Sequence, residues 1–441
     1  MPTALLLSDL APDVIFVILG CCDIFSVVSI GQTCRYLHEL ALEKSVWLGL
    51  LEDLRRRSIL DRTSDLQELS TDEMIRIVRR LITGPQTWSP EALDCDSVAE
   101  VSREITLHPV KAGDPPSEYG YKARLLPSGR YVLFTDWIWR HKSAIHSERT
   151  EVVEFAAEEI GIESATIMIC VRTYPHPRNY VEMVSVNLRT GVHVCLLAAR
   201  APDTDFDVPF SDPVICGELA AVQLSDMDME HDTYMVVNWR AQSYFILRDP
   251  DLQIALIPRY MILNASHHYG QQQIHLIANG TLDTYWAPII GTDDIAEFSP
   301  IGAADIPKLS TLNHTDSRYF SRMYVHGNPI QDRDYRVWMC GTRYLRGSLS
   351  CYQLTIPITE HAEWRPQIRS ALVTMGHPVC YSGHTPDYSL TCGWTVVSPC
   401  SSPGLVRLNW QFPEEKHIDI TPYSGALTYV TRTTIVIQYY K

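Results

Sequence analysis

The sequence predicts a multidomain α+β chain: a small N-terminal helical unit, then a large all-β domain, most simply a β-propeller of about seven blades. Three observations predict it. Apolar residues recur at helical spacing over the first ~85 positions, then gather from about residue 120 into short β-branched and aromatic runs. No long helical pattern interrupts the roughly 320 residues that follow. A single sandwich or barrel rarely needs more than about 250 residues, whereas blades of about 40–45 residues fill this length about seven times. Paired sandwiches are the competing architecture, since no Trp-Asp dipeptide marks a blade repeat.

Taken in order, Pro12-Asp13 opens a helix running to about Cys21, with Pro in the first turn and an acidic residue facing the positive end of the dipole. A second helix spans about Ile24 to Ile30 and stops near Gly31. A third, from about Cys34 through Leu42, carries Tyr36, Leu37, Leu40 and Ala41 on one face. Val46 and Trp47 start another, continuing through Leu54. Ser70 and Glu73 have capping-box spacing ahead of Met74, Ile77, Val78 and Leu81, and Gly84-Pro85 ends that helix. Residues 51–119 read as a helical and then Pro-rich linker.

The β domain, 120–441, is signalled by runs such as Tyr131–Phe134, Thr166–Val171, Tyr234–Val237, Ile254–Ile257 and Thr434–Ile437. Three segments read as hairpins: Val184–Cys195, Met235–Leu247, and Ser424–Val430 with Thr434–Tyr439. The acidic stretches Asp203–Asp212 and Asp226–Asp232 read as solvated inter-strand turns. Trp137 and Trp139 alternate as buried strand residues do.

A net charge of −15 argues against nonspecific attraction to nucleic acid or anionic membranes. The uncharged run Val14–Cys22 is nine residues long, whereas a bilayer span needs about 20. No Lys or Arg precedes it, and the acidic Asp9 and Asp13 stand just before it, unlike a signal peptide. The 12 cysteines include no CxxC pair, so reduced thiols in the cytoplasm or nucleus are expected.

No phosphate loop, GxGxxG, GxSxG or HExxH motif is present, and no catalytic residue is nominated. Asp203, Asp205 and Asp207 lack the glycine of an EF-hand, Val208 standing in its place, and the Asp226 series fails likewise. His267, His268 and His275 have no cysteine or carboxylate at ligand spacing, so neither metal nor cofactor is expected. Arg55-Arg56-Arg57 with Arg62 is flanked by Glu52, Asp53 and Asp61 and reads as a charged helical face.

The first helix poses the functional question, because it is apolar nearly all round. A three-helix unit buries one face of each helix and offers no second layer. Each wet Leu, Ile or Phe side chain would forgo roughly 1.5–3 kcal/mol. Something outside the unit must cover them: the chain's own C-terminal domain, or a partner protein.

Leu10, Pro12-Asp13-Val14, Ile18-Leu19, Asp23, Cys34-Arg35 and Val46-Trp47 resemble the F-box motif over Leu10 to Leu50. Ala11 stands where that family has proline, with Pro12 one place later. The resemblance assigns residues 1–50 to a three-helix F-box. It implies a noncatalytic ubiquitin-ligase adaptor that binds the Skp subunit and, through it, a cullin, while the β domain holds a protein substrate. Leu10, Pro12, Val14, Ile15, Ile18 and Leu19 would then meet the Skp subunit. Cys34, Arg35 and Trp47 match later positions of the motif, partly structural and partly interfacial. The segment from 72 to Trp88 is similar to the linker of fungal F-box proteins with propeller-like C-termini. The alternative is a propeller-type interaction scaffold whose helical unit packs internally. No substrate-contact residue is nominated.

Overall fold

The computed structural model describes residues 6–57, 59–60, 65–85, 100–108, 122–135, 149–161, 163–204, 208–225, 231–267, 271–291, 299–314, 321–343, 346–357, 362–374, 395–396, 406–407, 418–421, 423–431 and 434–441.

Five α-helices come first: α1 (Pro12–Gly20), α2 (Ile24–Gly31), α3 (Arg35–Ala41), α4 (Lys44–Arg56) and α5 (Thr71–Thr83). Pro12 occupies the first turn of α1, where its missing N–H costs nothing. Asp23 caps α2, its Oδ1 accepting from the Ser26 amide at 2.7 Å. The capping box before α5 forms as its spacing requires: the Ser70 amide donates to Glu73 Oε2 at 2.8 Å and the Glu73 amide to Ser70 Oγ at 3.3 Å. Gly84, at φ 73°, ends the helix in a conformation closed to most residues. Replacing Ser70 by Ala is expected to cost about 1 kcal/mol, read from the urea midpoint of the helical signal.

One core joins all five helices. Ile15 and Leu19 meet Val27, Leu37, Trp47, Leu51 and Leu54, and the same cluster extends through Met74, Val78 and Leu81. The second layer that a three-helix unit lacks is supplied by α4 and α5. The unit is therefore continuous across residue 50, which lies inside α4.

The β domain is a ring of sheets, each built on a run of consecutive strands, with β1, β15 and β16 added from elsewhere in the chain. β1 (Val101–Leu107) is set aside for closure. β2 (Ala123–Leu125) and β3 (Val132–Phe134) form a two-stranded ladder. The next sheet is β4 (Arg149–Glu159), β5 (Ser164–Tyr174), β6 (Asn179–Asn187) and β7 (His193–Arg200). Then come β8 (Phe210–Cys216), β9 (Leu219–Leu224), β10 (Asp232–Asn238) and β11 (Ser243–Asp249). A third sheet holds β12 (Gln253–Ile257), β13 (Tyr260–His267) and β14 (Gln271–Ala278). β15 (Ala287–Pro288) pairs outside β11, and β16 (Ser310–His314) completes the third sheet. The fourth is β17 (Ser321–Gly327), β18 (Asp334–Arg343), β19 (Arg346–Thr355) and β20 (Glu363–Thr374). β21 (Thr395–Val396) pairs with β22 (Val406–Arg407). Last come β23 (Ile418–Ile420), β24 (Leu427–Val430) and β25 (Ile435–Tyr440).

Two features make this a propeller arrangement. First strands neighbour first strands around an axis, β4 beside β8, β8 beside β12, β12 beside β17, and β2 beside β23. The ring is closed by β1, which pairs antiparallel with β25, Ile105 opposite Ile437, so one sheet holds both ends of the domain. Faces of successive sheets bury apolar side chains against each other: Met168 and Val181 with Val222 and Met235, Ala221 and Val236 with Met261 and Leu263, Ile262 and Ile274 with Val337 and Leu354. Five sheets have four or five strands; the two ladders have two each among the described residues, where about seven full blades were expected.

The expected hairpins form, with turns that explain their register. Asn187 Oδ1 accepts from the amides of Arg189 and Thr190 at 3.1 and 2.9 Å, and Gly191 takes φ 72°. Asn238 does the same for the Ala241 amide at 2.9 Å. Three expectations change. β1 falls within the segment read as a linker. Asp212 sits in β8 at a register shift, and Asp232 begins β10, so neither belongs to a free turn. Trp137, Trp139, His268 and Arg62 lie outside the described residues.

Candidate protein-interaction surface

The fold divides the helical unit into an inward and an outward side. On α1, Ile15 and Leu19 are fully buried, whereas Val14 is 46% and Val17 69% exposed. Ile18 and Leu10 are half-buried, and Pro12 is exposed. Positions 14, 17 and 18 share one helical stripe. On α2, Phe25 and Val28 repeat the pattern, with Phe25 50% exposed, while Ile24 and Val27 point into the core. The outward stripe is therefore real but narrower than an all-round apolar helix implies. Partner contact by Ile15 and Leu19, as the F-box resemblance implies, is replaced by a core role, because α3 and α4 pack on the side they face.

Cys34 and Arg35 are exposed, and Arg35 pairs with Glu39 one turn on at 3.1 Å. Trp47 is buried, its indole Nε1 donating to the Ala41 carbonyl at 2.9 Å. That bond locks α3 against α4 and leaves Trp47 structural. The basic run is a charged face, as read: Arg55 pairs with Glu52 at 3.3 Å and Arg56 with Asp53.

A second contact set holds the unit on the β domain. The Phe25 amide donates to the Ile330 carbonyl at 2.9 Å, and the Asp332 amide to Asp23 Oδ2 at 3.2 Å. Arg57 reaches Asp332 and the Asn328 carbonyl, each at 3.3 Å. Ile330 and Tyr423 add apolar contact to the helical core, and Arg80 Nη2 donates to the Tyr440 carbonyl at 3.1 Å. Asn328–Asp332 joins β17 to β18 and Tyr423 lies between β23 and β24. Thus the unit rests on the face bearing first-to-second strand connections, and the Val14–Val17 stripe stays clear. No sequence signal marks Asn328–Asp332, because its role depends on a partner 309 residues away.

Charges line the inner strands but are engaged pairwise. Arg124 Nε lies 3.6 Å from Asp419 Oδ2, joining β2 to β23. Lys122 pairs with Glu154, and Glu158 accepts from the Gly217 amide at 2.7 Å. His275 meets Thr311 Oγ1 at 3.0 Å. Among the described residues no three His, Cys, Asp or Glu side chains gather as a metal site, and no helix is long and apolar enough to cross a membrane. Cys21, Cys22, Cys34, Cys170, Cys195, Cys216 and Cys351 are free thiols, and burial pushes Cys216 up to about 12, with Glu158 adding to the shift.

Burial, first among the causes, also raises the carboxyls of Glu154, Glu158, Asp232 and Asp249 above their ordinary values. The folded state then keeps protons that the unfolded chain releases. Stability contributed this way is present below the unfolded value, about pH 4, and falls as pH rises through the folded one. Glu158→Gln keeps an acceptor for the Gly217 amide and removes one titration. Urea midpoints measured across pH are expected to decline less steeply above about pH 4 in that variant.

No family model matches the chain, and no curated protein matches it at a significant level. Solved structures do. The β-propeller domain of the Trilobed protease from Pyrococcus furiosus is 8% identical with a TM-score of 0.35, covering 64% of this chain and 79% of that one. An acylaminoacyl peptidase from Pyrococcus horikoshii is 10% identical at TM-score 0.31, over 63% of this chain and 42% of the peptidase. The WD40 domain of SCAP from fission yeast is 6% identical at TM-score 0.22, covering 73% and 80%. The chain thus spans less than half the length of the peptidase. The propeller arrangement rests on this chain's own strand order and ring closure.

Proposed function

We propose that this protein is a noncatalytic adaptor of a Skp–cullin–F-box ubiquitin ligase, acting in the cytoplasm or nucleus. The helical unit binds the Skp subunit and, through it, a cullin; the β domain presents a protein substrate. The observation that carries the reading is the outward stripe of Val14, Val17 and Ile18 on α1, with Phe25 and Val28 likewise outward on α2, on a unit whose core is otherwise complete. Apolar side chains grouped on one helical face, rather than scattered, mark an interaction site. Their energy would concentrate at a few anchors. Co-purification of the Skp subunit with the full chain tests it: capture by wild type and loss in a Val14→Asp, Val17→Asp variant support the adaptor role, and no capture by wild type refutes it.

We also infer seven blades. The β2–β3 ladder packs on the closing sheet through Ala123 and Leu125 and on the β4–β7 sheet through Leu126 and Leu133, and so holds a blade's place between them. β21–β22 follows β20 in the chain and takes the remaining one.

The second reading is an interaction scaffold without a ligase. It is favoured by the bonds of Phe25, Asp23 and Arg57 to Asn328–Asp332, which make the helices part of the propeller's own packing. Under that reading the chain captures no Skp subunit, and deleting the helices destabilises the β domain.

A further inference from the structure

The seam between α5 and the closing sheet holds an apolar cleft of about 220 Å³. Ile59, Leu60, Ile77 and Leu81 line it from the helical side; Tyr423 and Tyr439 line it from the β side. Among the described lining residues one is charged, Arg80, and none is Asp or Glu. The other polar side chains are occupied: Ser128 Oγ donates to Glu159 Oε1 at 2.5 Å, and Ser424 Oγ accepts from the Ala426 amide at 3.2 Å.

Arg80 spends one N–H on the Tyr440 carbonyl and pairs with no carboxylate among the described residues. A guanidinium offers five donors in a fork that matches a carboxylate. An apolar cavity of about 150 Å³ admits benzene, so this cleft has room for a ring with a short tail. We propose that it is a binding site for a small monocarboxylate with a single apolar ring, the ring lying between Ile77, Leu81 and Tyr439 and the carboxylate on Arg80. The site is separate from the Val14–Val17 stripe and stands or falls without the adaptor reading. Because both walls contribute, a bound acid ties the helical unit to the ring and stabilises the whole chain.

Titration calorimetry and melting of the full chain test it with three probes of one shape: 3-phenylpropionate, 3-phenylpropionamide and 3-phenylpropylamine. The acid is expected to bind saturably, at least about tenfold tighter than the amide, and to raise the melting temperature with concentration. The amine, placed against a cation, is expected not to bind. Arg80→Gln, at an exposed position, is expected to weaken acid binding at least about tenfold and so to remove the preference for acid over amide. An Ile77→Trp variant, which fills the cleft, is expected to weaken acid and amide alike. Equal affinity of wild type for acid and amide, absence of saturable acid binding, or unchanged acid binding by Arg80→Gln each overturns the proposal.

Discussion

A chain carrying Val14→Asp and Val17→Asp is expected to keep its fold and lose the Skp subunit, while Leu19→Asp, two positions on, is expected to unfold the helical unit. The contrast follows from side-chain direction. Val14 and Val17 point to solvent, so carboxylates there are hydrated and leave the free chain within about 0.5 kcal/mol of its stability. Against an apolar partner surface the same carboxylates would be desolvated and unpaired, at several kcal/mol each. A loss of about 3 kcal/mol already weakens binding roughly 100-fold. Leu19 is fully buried among residues of α3 and α4, so a charge there is desolvated inside the free chain itself. Circular dichroism and limited proteolysis separate the outcomes. If the valine pair still captures the Skp subunit as well as wild type, the outward stripe is not the docking surface.

Truncation after Thr431, removing β25, is expected to abolish cooperative unfolding of the β domain. β25 pairs on both sides, with β1 and with β24, and is the strand that joins the chain's late segment to residue 101. Its Ile435, Val436, Ile437 and Tyr440 are all buried. At roughly 1.5–3 kcal/mol for each, their loss amounts to about 6–12 kcal/mol. A domain holds only about 5–15 kcal/mol in total. Opening the ring also leaves β24 and β1 as bare edges, prone to pair with other chains. Calorimetry showing a single transition of undiminished enthalpy in the truncated chain would contradict closure by β25.

The helices were legible in the sequence because their determinants are local. Pro12, Asp23, the Ser70–Glu73 box and Gly84 each act within one turn, and the structure places helix ends within a residue or two of them. Hairpins such as β6–β7 and β10–β11 were legible for the same reason, with Asn187 and Asn238 shaping the turn from inside it. The candidate surface was half legible. Val14 and Ile18 were named with it, but so were Ile15 and Leu19, which the fold turns inward; apolarity alone does not say which side of a helix meets the core.

The amino-acid sequence by itself determined where the chain changes from helical to strand period, how most elements begin and end, and that the first helix is too apolar to stand alone. Only the tertiary structure decided that β1 leaves the linker to close the ring, and that α3 and α4 cover Ile15 and Leu19. It also decided that Asn328–Asp332 seats the helices on the propeller. The reason is physical. Caps and turns draw on neighbours within about four residues, whereas closure, core direction and docking depend on surfaces that meet only after the chain has folded.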